Sequence, residues 1–356
     1  MIAPAYSSIA NIKSYVGGDK NPPGVKRLVG LSSNENPLGA PQSAIHAIAN
    51  IIDNIHRYPN GSCDALCYAI GEMHKISSDQ IICGNGSDAL LHLIMRGYVS
   101  QGDEVIFSQH SFQLYEIATY AVGAIPIKAS APELKIDVDA LLKSVTSKTK
   151  MVIIDNPANP IGSVLWRDEI ERLHKGLPPH VLLVLDSAYA EYMHDDNYED
   201  GINLVNKFNN VIMTRTFSKF YGLAGLRLGW CYANPNIITT LQKILPPFSV
   251  NILAQTAGLA VLQDNEYAAR SYKYNYIVRT KFMKDLEKLG VNYIQSYTNF
   301  VMVNLNGEAL FNELAKHGII SRRVDNYGLP DWLRISIGLP EQMDQVVNII
   351  REYVTK

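Results

Sequence analysis

Val181-Leu182-Leu183-Val184-Leu185-Asp186 is an unbroken apolar run that ends in a carboxylate. An apolar run without polar alternation predicts a strand buried on both faces, as in parallel sheets covered by helices. Ligands of open α/β sheets lie at the carboxyl ends of the strands, where Asp186 stands. The run therefore predicts an α/β sheet with a ligand site at Asp186, although an isolated Asp can also cap the next element.

A second stretch, Thr216-Phe217-Ser218-Lys219, is followed by Gly222, Gly225 and Arg227. A lysine on a fixed turn can bond covalently to an aldehyde cofactor, and hydroxyls and a guanidinium around it can clasp a phosphate. Glycines in the loop let the backbone come close. The pattern is typical of a pyridoxal-phosphate site, in which Asp186 would face the ring nitrogen and keep it protonated. Taken alone, the stretch also fits an ordinary surface loop.

The segment Asn156-Pro157-Ala158-Asn159-Pro160-Ile161-Gly162 favours the cofactor site. It follows the apolar run of residues 151–154, and its two Asn-Pro steps with a closing glycine predict a rigid turn. Such a turn at a strand end would lie beside the predicted site. The Asn159 amide could then bond the phenolic oxygen of the cofactor, and Tyr189 could do so from the other side.

A glycine turn, Gly84-Asn85-Gly86-Ser87-Asp88-Ala89, precedes an apolar pattern with helical spacing. A helix that opens on such a turn presents free N–H groups and the positive end of its dipole, which together bind anions. The same letters match the G-x-G-x-x-A pattern of dinucleotide-binding folds. That fold needs an acid near the end of the next strand, whereas Asp103 and Glu104 precede residues 105–107 here. A phosphate cup is the better interpretation.

The composition excludes several classes of protein. A chain of 356 residues exceeds a comfortable single core, so we expect two domains that share a cleft, and a hydrophobic content of 47% can fill them. The formal net charge of -2 gives no bias toward nucleic acid or an anionic membrane surface. No apolar run approaches the roughly 18 residues of a membrane span. We expect no nucleic-acid partner, no membrane partner and a cytoplasmic location.

The cysteines do not form a metal-binding pattern. Cys63 and Cys67 are four positions apart, and no nearby His or Cys pair completes a zinc site; Cys83 and Cys231 are isolated. We expect all of them to be small core residues in a reducing compartment, and we expect no metal.

The order of the patterns predicts the division of the chain. Apolar strands alternate with helical patterns from about residue 80 to 230, which is typical of a mostly parallel sheet covered on both faces. A break at Pro246-Pro247-Phe248-Ser249-Val250-Asn251 precedes a long helical stretch. Residues 299–303 and 332–337 are plausible strands of a small α+β unit. We therefore predict a large domain over residues 31–250 and a small one over 251–356.

In chain order these motifs resemble those of the fold-type-I aminotransferases, and within them the group that acts on histidinol phosphate, over nearly the whole length. The motifs are Leu31-Ser32-Ser33-Asn34-Glu35-Asn36-Pro37-Leu38-Gly39, His56-Arg57-Tyr58-Pro59, the Gly84 to Asp88 cup, the Asn156 to Gly162 turn, Asp186 to Tyr189, Thr216 to Lys219, Gly222-Leu223-Ala224-Gly225-Leu226-Arg227, and Leu333-Arg334-Ile335-Ser336-Ile337-Gly338. Many members of the family carry Thr where this chain has Ile161.

The resemblance implies a fold and a set of roles. The large domain would hold a mostly parallel seven-stranded sheet between helices, and residues 1–30 would form an arm. Lys219, Asp186 and Tyr189 would be catalytic, with Lys219 bonded to the cofactor. Pyridoxal phosphate would be held by Gly86, Ser87, Asp88, Phe112, Asn159, Asp186, Tyr189, Thr216, Ser218, Lys219 and Arg227, and by Tyr58 from the other subunit of a homodimer. The substrate would be bound by Tyr15, Asn34, Arg322 and Arg334, whereas Arg323 would be solvated.

The implied activity is a ping-pong transfer of the amino group of L-histidinol phosphate to 2-oxoglutarate, which gives imidazole-acetol phosphate and L-glutamate. Two alternatives share every cofactor residue: an aromatic amino-acid aminotransferase and a phosphothreonine decarboxylase. A third, a DNA-binding regulator with an aminotransferase-like sensor domain, needs a helix-turn-helix domain, and only about thirty residues without basic helical character precede Leu31.

Overall fold

The computed structural model describes residues 7–14 and 28–355. The strands are β1 (Val29–Gly30), β2 (Ile81–Gly84), β3 (Glu104–Ser108), β4 (Ile125–Ala129), β5 (Thr149–Asp155), β6 (Leu182–Asp186), β7 (Val211–Thr216), β8 (Gly229–Ala233), β9 (Asn292–Tyr293), β10 (Phe300–Asn304), β11 (Ile319–Ile320), β12 (Arg322–Arg323) and β13 (Trp332–Ser336). The α-helices are α1 (Gln42–Ile51), α2 (Asp64–His74), α3 (Ser87–Tyr98), α4 (Leu114–Ala121), α5 (Val138–Lys143), α6 (Arg167–Gly176), α7 (Ile202–Lys207), α8 (Pro235–Gln242), α9 (Ile252–Leu262), α10 (Asn265–Lys288), α11 (Gly307–Lys316) and α12 (Pro340–Val354). Within these described ranges, no helix is both long enough and apolar enough to cross a membrane.

The central sheet has seven strands in the order β2-β8-β7-β6-β5-β3-β4. The pairs from β7 through β4 are parallel, and β8 pairs antiparallel with β2 and with β7. The predicted mostly parallel seven-stranded sheet is thus confirmed. The predicted strand over residues 181–186 is observed as β6, and all of its residues are buried.

Helices cover both faces of this sheet. Successive residues of β6 alternate between two apolar cores: Leu183 and Leu185 pack with α1, α2, α6 and α9, whereas Leu182 and Val184 pack with α3, α4 and α8. A side chain in the middle of such a strand has only apolar neighbours, because consecutive residues point to opposite faces. The polar side chains of β5 and β6 are therefore found only at strand ends, at Thr149 and Lys150 where β5 begins and at Asp155 and Asp186 where β5 and β6 finish.

A second, smaller sheet in the order β12-β13-β10-β9 is antiparallel and packs against α10, α11 and α12. The short strand β1 pairs in parallel with β11 of this C-terminal part. Helix α9 contributes Ala254, Ala257 and Val261 to the core of the large sheet, whereas the end of α10 lies in the core of the small sheet. The boundaries 30/31 and 250/251 stay predictions.

The first testable prediction concerns the close approach of β8 to the loop before α3. A Cβ atom on Gly229 would lie 2.3 Å from the backbone nitrogen of Ser87 and 2.7 Å from the carbonyl carbon of Gly86. Backbone cannot move aside as a flexible side chain can, so Gly229→Ala should lower the free energy of unfolding by about 3 kcal/mol, as severe overpacking does. Urea unfolding of the cofactor-free protein measures the change.

Gly225→Ala is the matched control, because no atom of the described residues, apart from Gly225 and its two chain neighbours, lies within 4 Å of the position of its Cβ. It should shift the free energy of unfolding by no more than about 0.5 kcal/mol. Equal unfolding curves for the two variants would contradict the proposed packing.

Candidate active site

A cavity of about 250 Å³ lies where β5, β6 and β7 end. It brings together most of the predicted site residues, which come from widely separated parts of the chain. Those that line it are Asn34, Ser87, Asp88, Phe112, Asn159, Asp186, Tyr189, Thr216, Ser218, Lys219, Arg227, Arg322 and Arg334.

Two predicted residues do not line the cavity, and a third lies outside the described residues. Gly86 immediately precedes the lining residue Ser87 and does not itself line the cavity. Tyr58 lies away from the cavity, where its ring is 81% exposed and stacks on Phe248 with a centroid distance of 4.6 Å. Tyr15 lies outside the described residues, so its predicted role in substrate binding stays a prediction.

Lys219 presents its amine to the cavity from the turn after β7. Its Nζ donates a hydrogen bond of 3.0 Å to the carbonyl oxygen of Ser33. Burial, and then the positive charge of Arg334, lower the pKa of the Lys219 amine to about 8. At pH 7 roughly a tenth of the amine is therefore unprotonated, far more than for an ordinary lysine, and the free amine is the state that a nucleophile or a general base requires.

Asp186 is a buried carboxylate at the end of β6. Its Oδ2 accepts a hydrogen bond of 2.8 Å from the Tyr115 hydroxyl, and its Oδ1 accepts one of 2.9 Å from the Thr214 hydroxyl. Burial raises the pKa of Asp186 to about 6, although both hydrogen bonds oppose the rise. Among residues 7–14 and 28–355, no Lys, Arg or His forms an ion pair with it. Its position suits a ligand that brings its own cationic N–H group.

An anion-binding cup adjoins the lysine. Helix α3 begins at Ser87, directly after Gly86, whose φ is +85°. The Arg227 guanidinium donates to Ser218 Oγ at 3.3 Å and to Asp88 Oδ2 at 3.2 Å. A Cβ on Gly86 would lie 2.9 Å from Arg227 Nη2, so glycine is needed for this approach. The helix N-terminus, the Ser218 hydroxyl and the guanidinium together suit a phosphate.

Two side chains flank the space between Asp186 and the cup. Tyr189 accepts a hydrogen bond of 2.8 Å from Asn34 Nδ2, and burial raises the pKa of its phenol, which therefore stays neutral and can donate to a ligand. The backbone N–H of Asn159 donates to Asp155 Oδ2 at 2.7 Å. Phe112 also lines the space and meets the Tyr115 ring edge to face, with centroids 5.9 Å apart. A flat ring could lie against Phe112.

Two arginines enter the same cavity from the small sheet. Arg322 on β12 is the register partner of Arg334 on β13, and each is only 6% exposed. Arg334 donates to Asn159 Oδ1 at 2.6 Å and to the Ser32 carbonyl oxygen at 2.7 Å. Arg323 points elsewhere and forms ion pairs with Asp325 at 3.1 Å and Glu308 at 3.4 Å.

Some residues of the site were not predicted from the sequence. Asp155 ends β5 just as Asp186 ends β6, so the rule applied to Asp186, an apolar run closed by an acid, would have found it. Tyr115 and Thr214 reach Asp186 from α4 and from β7. No local pattern marks either of them, because their roles depend on which elements pack together. Tyr327 also lines the cavity.

The family relationship is clear from sequence comparison. The sequence profile of the family described as aminotransferase class I and II matches residues 26–350. The chain is 44% identical, over 97% of its length and 97% of the relative's, to the histidinol-phosphate aminotransferase of Rhodospirillum centenum. It is 42% identical to the enzyme of the same name from Ruegeria pomeroyi, over 97% of this chain and 96% of the relative.

Solved structures agree with the fold. The structure of histidinol-phosphate aminotransferase from Sinorhizobium meliloti in complex with pyridoxal-5'-phosphate is similar to this chain with a TM-score of 0.91 and 26% identity, over 100% of this chain and 98% of that one. A structure of L-threonine-O-3-phosphate decarboxylase from Porphyromonas gingivalis, at 22% identity and a TM-score of 0.79, covers 92% of this chain and all of that one, and shows the fold alone. Because the family profile matches a range that includes both sheets, and because these relatives match nearly the whole chain, the chain belongs to the class I and II aminotransferase family.

Proposed function

We propose that the protein is a pyridoxal-phosphate-dependent aminotransferase that transfers the amino group of L-histidinol phosphate to 2-oxoglutarate, giving imidazole-acetol phosphate and L-glutamate, a step of histidine biosynthesis. The observation that carries this proposal is the cavity in which Lys219, Asp186 and the phosphate-binding cup meet the arginine pair of the small sheet. Relatives that bear this function in their names are 40% to 44% identical to the chain along nearly its whole length.

The residues of the cavity fit pyridoxal phosphate. Asp186 is a buried carboxylate that accepts two hydroxyl hydrogen bonds and has no cationic partner among the described residues. It therefore suits the protonated ring nitrogen. We assign the phosphate to Ser87, Thr216, Ser218, Arg227 and the N-terminus of α3. The phenolic oxygen would accept hydrogen bonds from Asn159 and Tyr189, and Phe112 would cover one face of the ring.

When bound, pyridoxal phosphate supplies an aldehyde that takes up the amino group and a ring that accepts the electron pair left on the substrate carbon. Lys219 Nζ would hold that aldehyde covalently. The free Lys219 amine would move the proton from the amino-bearing carbon of the substrate to the cofactor carbon that receives the amino group, and its pKa of about 8 suits both removal and delivery. Asp186 keeps its negative charge against the ring nitrogen throughout.

The arginine pair supports histidinol phosphate as the amino donor. This substrate has a phosphate ester and no carboxylate on the reacting carbon, and a phosphate that is nearly dianionic is better matched by two guanidinium groups than by one. Arg322 and Arg334 are adjacent across β12 and β13 and both are buried. We assign the phosphate of the donor to both of them, and the carboxylate of 2-oxoglutarate to Arg334. Asn34 completes the predicted substrate set, and its side chain contacts Tyr189.

A homodimer is part of the proposal. Tyr58 is exposed and stacks on Phe248, and several large apolar side chains from α1, from the segment after it and from α2 are also exposed: Ile45, Ile52, Ile55, Tyr68 and Met73. Large apolar patches on a surface mark sites of association. We propose that a second copy of the chain covers this surface and that Tyr58 of each copy reaches the cofactor phosphate of the other.

We also propose that the protein acts in the cytoplasm. All four cysteines are buried and free, and the Sγ atoms of Cys67 and Cys83 lie 3.8 Å apart without a bond between them. Unbonded neighbouring thiols are expected of a reducing compartment.

The second testable prediction concerns the lysine. The purified protein should be yellow, and borohydride followed by peptide mapping should find the cofactor on Lys219. Lys219→Ala should remove both the reducible linkage and turnover, because no other amine of the described chain lines the cavity. Lys175→Ala, a surface lysine paired with Glu171, serves as the control and should retain both. Recovery of the cofactor on a different lysine would refute the assignment.

The third prediction concerns substrate choice. Arg322→Ala should lower kcat/KM for histidinol phosphate by about ten- to a hundredfold, the cost of one charge-assisted hydrogen bond, and lower it less for phenylalanine. Arg334→Ala should damage both reactions, because every amino donor and 2-oxoglutarate would use it. Steady-state kinetics with both donors measure the difference.

Arg323→Ala provides the control for this series, since Arg323 pairs with surface acids, and it should change either value by no more than about twofold. Equal losses for the two donors in Arg322→Ala, or a wild type that turns over aromatic amino acids and ignores histidinol phosphate, would favour the aromatic aminotransferase instead.

The fourth prediction tests the shared site. Lys219→Ala and Tyr58→Ala chains should each be severely impaired alone, and hybrids of the two should regain activity. One site of each hybrid has Lys219 from one chain and Tyr58 from the other. Proven hybrids without recovery, or a fully active monomer in sedimentation, would argue against the dimeric site.

A further inference from the structure

We propose that Asp155 and Asp186 hold one proton between them, that this proton resides on Asp155, and that the hydroxyls of Tyr115 and Thr214 keep the negative charge on Asp186. Asp155 and Tyr115 would then be positioning residues that act through Asp186. The inference rests on the proposed function, because it explains how Asp186 stays an anion for the cofactor ring.

The two carboxyl groups are neighbours because they stand at the ends of adjacent strands of the sheet. Asp155 and Asp186 end adjacent parallel strands and are register partners. Strands in a sheet lie about 4.8 Å apart, and paired residues of parallel strands point to the same face. Asp155 is 3% exposed and Asp186 is 4% exposed, and both line the cavity. Two buried anions so close together repel each other strongly, so one of them takes up a proton.

The hydrogen bonds decide which carboxyl group is protonated. Asp186 accepts one hydroxyl hydrogen bond on each of its oxygens, from Tyr115 and Thr214. Asp155 accepts one on Oδ2 from the backbone of Asn159, whereas its buried Oδ1 has no hydrogen bond of standard geometry within the described ranges. The backbone N–H of Asp155 itself and the Ser111 hydroxyl also lower the pKa of this carboxyl group, but neither forms a hydrogen bond of standard geometry to Oδ1. Donors favour the charged form, so the proton belongs on Oδ1 of Asp155.

The acidities agree with this assignment. Burial raises the pKa of Asp155 to about 7, and the charge of Asp186 adds to the rise. Burial raises the pKa of Asp186 only to about 6, because its two hydroxyl donors oppose the rise. When the surroundings of two carboxyl groups separate their pKa values in this way, the group with the higher pKa holds the proton and the other is the anion.

The other ionisable groups around the pair do not reverse the order of the two pKa values. Asp88 of α3 adds a negative charge near Asp186. Tyr115 of α4 and Tyr189 after β6 stay neutral, because burial raises the pKa of both phenols. Lys219 and Arg334 line the same cavity and form no ion pair with either carboxyl group within the described chain.

Infrared spectroscopy of the full-length chain tests where the proton is. Spectra of the cofactor-free protein near pH 7, where much of Asp155 and little of Asp186 should be protonated, with aspartate labelled by ¹³C at its carboxyl group, should show the C=O stretch of a protonated, buried carboxylic acid. Asp155→Asn should abolish that band, and Asp186→Asn should retain it. A band that survives Asp155→Asn and disappears in Asp186→Asn, or no band at all, would overturn the proposal.

The pH dependence of stability is a second measurement. The pKa of Asp155 is raised from about 3.9 in the unfolded chain, so its contribution to stability is complete at low pH and is lost as the pH rises from about 4 toward about 7. Melting temperatures of the cofactor-free wild type should therefore fall relative to those of Asp155→Asn over this range. Parallel curves would contradict a protonated Asp155.

Removal of a hydroxyl donor tests whether the donors to Asp186 keep the negative charge on that residue. Tyr115→Phe should weaken the binding of pyridoxal phosphate by about ten- to a hundredfold, because a hydrogen bond to a charged group is lost. In the Asp155→Asn background it should also make the protonated-acid band reappear, now from Asp186. Thr214→Val should act in the same direction and replaces Tyr115→Phe if that variant does not fold. If both variants kept the wild-type affinity for pyridoxal phosphate and showed no protonated-acid band in the Asp155→Asn background, the proposed role of the hydroxyl donors would be refuted.

Tyr120→Phe is the matched control, since Tyr120 lies on the same helix, is only half-buried and does not line the cavity. It should leave the infrared band and the cofactor affinity unchanged. The infrared measurement does not need the cofactor, so the two proposals fail separately. A chain that shows the Asp155 band and binds no pyridoxal phosphate would overturn the proposed function and support the placement of the proton.

Discussion

Burial of the central strands on both faces determines where polar side chains can lie in this protein. Strands β5, β6 and β7 carry apolar side chains into two cores, one on each face of the sheet. Polar side chains are costly inside such cores, so they gather where the strands end. Because these strands are parallel, their carboxyl ends meet at one edge, and Asp155, Asp186 and Thr216 come together there.

Several charged side chains meet in the cavity and affect one another. Lys219, Arg227, Arg322 and Arg334 all line a space that the carboxylate of Asp186 also enters. Each added cation makes a further positive charge less favourable, and the lowered pKa of Lys219 reflects this together with burial. The arginines cannot lose their protons, so the lysine is the group that does. The same cations that would attract anionic substrates therefore also keep the lysine reactive.

Most of the residues that line the cavity could be named from the sequence, because they lie in short motifs with a physical reason for each position. The strand that ends in Asp186, the glycine turn before α3 and the loop from Thr216 to Arg227 are all local patterns, and the structure has each of them where it was expected. The seven-stranded sheet and the small antiparallel sheet also agree with the expected fold. Tyr115 and Thr214 could not be predicted, because their contacts with Asp186 depend on how α4 and β7 pack around β6.

The pairing of β1 with β11 ties the two ends of the chain together. Val29 lies beside Ile319, and Leu31 packs in the core of the small sheet with residues of α10 and α12. This contact joins residues on either side of the entire large sheet in sequence, so its formation closes a long loop and carries a large entropic cost. A C-terminal fragment made alone would lack both the strand and the leucine. The core of the small sheet therefore includes a residue, Leu31, that precedes the whole large sheet in the chain.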